Sequence, residues 1–141
     1  MTTETVFQLV NALVLPQWLL MIVAPRWKPT DFLTKSLIFP ALLACFYIYY
    51  LFFGDSGLDF ESFSTLMGIK TLFVQDTALL AGWIHYLAFD LAVGSWMVRN
   101  SQRRKVPHGW VIPCLILCFL LGPVGLLLYL GIRSAKPQKT Y

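Results

Sequence analysis

Two side chains that could move protons stand inside one apolar stretch, Gly82-Trp83-Ile84-His85-Tyr86-Leu87-Ala88-Phe89-Asp90-Leu91. A carboxylic acid and an imidazole can between them protonate one atom of a substrate and deprotonate another. Burying an aspartate at the centre of a membrane helix costs about 2.5 to 3.5 kcal/mol on an insertion scale, so His85 and Asp90 are functional candidates by default. They are five residues apart, which turns them about 140° from one another around a helix. Each therefore needs partners from other elements, and Asn11, Gln17 and His108 are the polar side chains available. A lone aspartate or histidine in a span also serves to hydrogen-bond helices together, and that reading stands beside the functional one.

Other ionisable groups add little. Asp76 lies 14 residues before Asp90, about 21 Å along a helix axis, too far for an acid dyad; it is a favourable acid at a helix start. His85 falls near the centre of its run and His108 at the edge of the next, so no bis-histidine haem or zinc site is expected, and no cofactor or metal is assigned. Cys45, Cys114 and Cys118 all sit in apolar runs without a CxxC pair and are expected to be small buried hydrophobes.

The elements that must position these residues follow from composition. Of 141 residues, 57% are hydrophobic and 13% charged, with a mean hydropathy of +0.66, about half the charge of an ordinary soluble domain. The expectation is an all-α integral membrane protein, a single transmembrane domain over 1–141. Its four spans, at about 5–24, 37–53, 76–98 and 110–132, would form a four-helix bundle. The first run lacks a basic n-region and carries Asn11, Pro16 and Gln17, so it is expected to be a retained span and not a cleaved signal. Gly54-Asp55-Ser56-Gly57 ends the second span. The mixed stretch from Leu58 to Gln75 is too polar to cross and is expected to lie as a short helix in the interface.

The basic residues flank apolar runs, which excludes a nucleic-acid surface and suggests orientation signals. Three fall in 25–36 and four in 99–108, against one in 54–75. The first and third connections are thus expected in the cytoplasm of a bacterial inner membrane or the equivalent side of a thylakoid-type membrane. Arg133, Lys136 and Lys139 in the tail disagree if the last run crosses straight. A re-entrant hairpin at Gly122-Pro123 would remove the conflict. Its halves, about ten residues or about 15 Å each, favour a straight crossing instead, because irregular backbone in lipid is costly.

The run from Trp83 to Leu91, followed by Val93-Gly94, Trp96, Pro107-His108, Pro113-Cys114 and Gly122-Pro123-Val124-Gly125-Leu126-Leu127-Leu128-Tyr129, resembles the neoxanthin-synthase-like family, named from an abscisic-acid-deficient plant mutant. The resemblance covers Asn11 to Arg133. Departures at Ala92 and Ser95 suggest a bacterial branch. It implies a protein of xanthophyll metabolism that in plants converts the epoxide violaxanthin to the allenic neoxanthin, an isomerisation needing no redox cofactor. It further implies Asp90 as acid to the epoxide oxygen and His85, or a water it orients, as base to the polyene carbon. Trp83, Tyr86 and Phe89 would flank an apolar groove, with Asn11 and His108 as further ligand contacts. The implied partners are membrane lipid, a carotenoid or other long apolar ligand, and a homo-oligomer or larger membrane complex. The alternative is a non-enzymatic carotenoid-binding or assembly subunit.

Overall fold

A computed structural model describes residues 1–55, 57 and 59–136; Ser56, Leu58 and Lys139 of the sequence reading lie outside them. The described residues form six α-helices and one 3-10 turn, with no strand: α1 (Thr3–Val23), α2 (Lys28–Ser36), α3 (Ile38–Phe53), the turn Phe60–Ser64, α4 (Leu66–Leu72), α5 (Asp76–Arg103) and α6 (His108–Ala135). α1, α5 and α6 are long and apolar enough to cross a membrane, and α2 with α3 makes a fourth if counted as one broken span.

Local chemistry sets the helix ends. Thr2 Oγ1 accepts the amide of Thr5 at 3.1 Å, satisfying one of the donors a helix start leaves open. Pro29 occupies the first turn of α2, where its missing N–H costs nothing. α2 stops at Leu37, whose left-handed backbone (φ 53°) lets its amide reach the Leu33 carbonyl at 3.2 Å. Where an interfacial helix was expected, Thr65 caps the seven-residue α4 by accepting from the Gly68 amide at 3.0 Å. Phe60, Leu66 and Met67 of this segment are exposed.

Packing divides the chain into two compact units, one of residues 1–13 and 39–88, the other of residues 14–38 and 89–141. In each, α1 and α5 lie side by side and run in the same direction. In the first, Phe7 packs on Trp83 with ring centroids 5.6 Å apart. In the second, Gln17 Nε2 donates to Ser95 Oγ at 2.9 Å, and further along Gln102 Nε2 donates to the Pro25 carbonyl at 3.0 Å. Gly94 makes room for the second unit's core: a Cβ there would meet Trp18 Cη2 at 2.6 Å.

The last run is not one straight helix, which the expectation of a straight crossing over 110–132 had required. The backbone breaks at Leu121 (φ −140°, ψ 50°), and the second half of α6 folds back along the first. Lys136 Nζ stands 5.0 Å from the centroid of the Trp110 ring, whereas a straight helix would separate these residues by about 39 Å. Gly125 permits the return, because a Cβ there would fall on the Cys114 carbonyl and the backbone of Cys118. The length argument for a straight crossing had assumed halves of ten residues. The break consumes only Leu121, leaving 13 and 14 residues, about 20 Å each. The tip is also not bare to lipid: Gly122 is buried against the Asp90 carboxylate, and irregular backbone is tolerated at membrane depth where protein covers it. The hairpin brings Arg133 and Lys136 back to the end of α6 that begins at His108.

Candidate functional site

The first unit holds a cavity of about 110 Å³. α3 supplies Tyr47, Tyr50 and Leu51, the segment before α5 supplies Gly57, Phe63, Leu72 and Phe73, and α5 supplies Ala78, Ala81, Gly82 and His85. Residues 78, 81, 82 and 85 recur at helical spacing, so one face of α5 forms the wall. Gly82 lets Phe73 close over it, since a Cβ would come to 2.8 Å from Phe73 Cε1. The Tyr47 ring meets the His85 imidazole edge-on, centroids 5.5 Å apart at 80°. The walls are apolar and aromatic, and the lining carries one imidazole and two phenols. Such a site can hold a ring-sized apolar group and exchange protons with it.

The remaining site residues expected in this unit gather elsewhere. Trp83 Nε1 donates to Asn11 Oδ1 at 2.9 Å, and the Trp83 ring lies 5.3 Å from that of Tyr86. Asn11, offered by the sequence as a partner for Asp90, is thus engaged with the indole. Trp83 does not line the His85 cavity; it faces a wider groove with Phe7, Leu79, Leu80 and Asp76.

Asp90, Phe89 and His108 belong to the second unit. The Asp90 side chain packs on Gly122 at the break in α6, and Cys118 Sγ donates to the Asp90 carbonyl at 3.6 Å. An acid at the start of the second half-helix faces amides that lack intrahelical acceptors and the positive end of its dipole. Phe89 is 64% exposed. His108 Nε2–H donates to the Ile22 carbonyl at 2.8 Å, which ties the start of α6 to the last turn of α1 and satisfies a carbonyl there.

Several polar residues of consequence were not singled out by sequence reasoning. Tyr47, Tyr49 and Tyr50 crowd the end of α3, and only the fold turns two of the three to the cavity. Ser95 is fully buried and, besides accepting from Gln17, donates to the Leu91 carbonyl at 2.8 Å. Tyr129 donates its hydroxyl to Asn100 Oδ1 at 2.7 Å, an oxygen that also accepts from Arg133 Nη1 at 3.3 Å. Among the described residues no three His, Cys, Asp or Glu side chains gather as metal ligands would.

The chain is 27% identical over 130 residues to Protein ABA DEFICIENT 4, chloroplastic, of Arabidopsis thaliana, a match that covers 87% of this chain and 58% of that protein's length. No solved structure matches it. Residues 5–129 match the model of the family described as ABA DEFICIENT 4-like. These residues take in both α1–α5 pairings, the cavity around His85 and most of the α6 hairpin, and the chain belongs to the ABA DEFICIENT 4-like family.

Proposed function

We propose that this chain is an integral membrane protein of carotenoid metabolism that binds the oxygenated ring of a xanthophyll in the His85 cavity and isomerises its epoxide to an allene without a cofactor. The cavity is the observation that carries the reading: its walls suit an apolar ring, and its lining joins an imidazole to two phenols. In the reaction, His85 accepts the proton of the polyene carbon next to the epoxide. The electrons of that C–H bond form the new cumulated double bond, and the adjacent C–O bond breaks. A phenol, from Tyr47 or Tyr50, gives the oxygen a proton, so one proton leaves and one arrives and the product is an isomer. Asp90 takes a positioning role in this reading, holding the tip of the α6 hairpin through Gly122. The basic segments 25–36 and 99–108, together with the returned end of α6, face the cytoplasm or its equivalent.

The test is expression in a host that accumulates epoxy-xanthophyll, with pigments resolved by chromatography. His85→Gln and a Tyr47→Phe/Tyr50→Phe double variant are expected to abolish allenic product while Asp90→Asn retains it at reduced protein level. Undiminished product from both cavity variants would refute the catalytic assignment. A second reading, pigment binding without turnover, is favoured by Asp90 lying at a helix break in the second unit and not in the cavity. Xanthophyll that co-purifies unchanged with the native chain, and is lost on Gly82→Leu, would support it over catalysis.

A further inference from the structure

In the second unit the turn after α1, helix α2 and the last turns of α5 enclose a furrow independent of the His85 cavity. Arg26, Lys28, Asp31 and Gln102 line one part, of about 250 Å³. Asp31, Lys35, Arg99, Gln102 and Arg103 line the next, of about 300 Å³. Asp31 and Gln102 are common to both, so the two parts adjoin. The furrow is built: Gln102 reaches across it to the Pro25 carbonyl and sets the spacing of its walls. Five cations line it against one carboxylate, and Lys35 Nζ holds that carboxylate at 2.6 Å. Among the described residues no second carboxylate lines the furrow, so Arg26, Lys28, Arg99 and Arg103 present a surplus of positive charge that an anion can match.

We propose that this furrow binds the phosphate headgroup of an anionic membrane phospholipid. Arginines and lysines supply forked and point-charge donors to phosphate oxygens, and basic pockets beside transmembrane helices on the cytoplasmic side are suited to such headgroups. The flanks favour a lipid over a soluble phosphate. Trp27, between Arg26 and Lys28, is 56% exposed, and Phe32, next to Asp31, is 60% exposed. Large exposed apolar groups beside the cations provide contact for the glycerol and upper acyl chain, which a free anion would leave in water.

The full-length chain in a non-ionic detergent is titrated with dioctanoyl phosphatidylglycerol or dioctanoyl phosphatidylcholine, and retained lipid is read by native mass spectrometry. Preferential retention of phosphatidylglycerol by about tenfold or more is expected, with a tenfold or greater loss for the Arg99→Gln/Arg103→Gln double variant. Lys70→Gln, a charge removed in the other unit, should leave retention unchanged. Equal retention of the two lipids, or a correctly folded double variant that binds like the native chain, would overturn the proposal. So would inorganic phosphate displacing the lipid at equal concentration, which would assign the furrow to a soluble anion. Circular dichroism checks the fold of the double variant. If it is misfolded, the ratio between the two lipids on the native chain decides alone.

Discussion

In the first unit α1 and α5 meet at their edge, through Trp83 Nε1 and Asn11 Oδ1 at 2.9 Å; in the second they meet in the interior, through Gln17 Nε2 and Ser95 Oγ at the same 2.9 Å. The bonds have equal length but unequal consequence. Gln17 and Ser95 are both fully buried, so removing Ser95 strands the Gln17 amide donor away from water, whereas an edge group keeps access to alternatives. The contrast extends to the surroundings. The first unit spends its polar groups sparingly around a small aromatic cavity. The second carries a buried amide and hydroxyl, a helix break backed by a carboxylate, and a cationic furrow. One pair of parallel helices thus borders a small aromatic cavity in one part and a tightly specified scaffold in the other.

The comparison breaks first, and by the largest margin, if α6 is straight. Spin labels at positions 110 and 136 should report a separation consistent with side-by-side helix ends, far below the about 39 Å of an unbroken helix; a long distance would remove the hairpin. Next in size is glycine replacement. Gly125→Ala places a methyl group on backbone atoms of Cys114 and Cys118 that have no means of yielding, and should lower unfolding free energy by about 2 to 3 kcal/mol or more. Gly82→Ala, in the first unit, meets only the tip of the Phe73 ring and should cost clearly less. Thermal unfolding in detergent measures both.

Removal of the polar pairs sharpens the contrast further. Ser95→Ala leaves the Gln17 amide buried without its acceptor and is expected to cost about 1 to 3 kcal/mol, while Asn11→Ala at the exposed indole should cost about 1 kcal/mol or less. Equal losses would show that burial does not distinguish the two contacts. The smallest effect is expected for Asp31→Asn, which breaks the exposed i,i+4 pair with Lys35; such pairs are worth about 0.3 to 0.5 kcal/mol, and high salt should shrink even that.

The sequence alone determined that apolar helices dominate this chain, where they begin and end to within a few residues, and that the polar stretch between the second and third runs forms no span. Those properties are local: they depend on runs of apolar residues, on capping side chains such as Thr65, and on prolines such as Pro29 at helix starts. The family was legible too, through the resemblance carried by the residues from Trp83 to Leu91 and from Gly122 to Tyr129.

Only the tertiary structure decided which side chains share a site. Helical spacing identifies the face on which His85 sits, but not that Tyr47 and Tyr50, some 35 residues earlier, line the same cavity. Nor does it show that Asn11 and Gln17 spend their amides on Trp83 and Ser95. The turn back in α6 was likewise undecided by composition, since apolar residues continue through Leu121 without interruption. What selects the hairpin is the fit of Gly125 against the backbone of Cys114 and Cys118 and of Gly122 against Asp90, contacts that a straight helix would not make and whose energy no helical period contains.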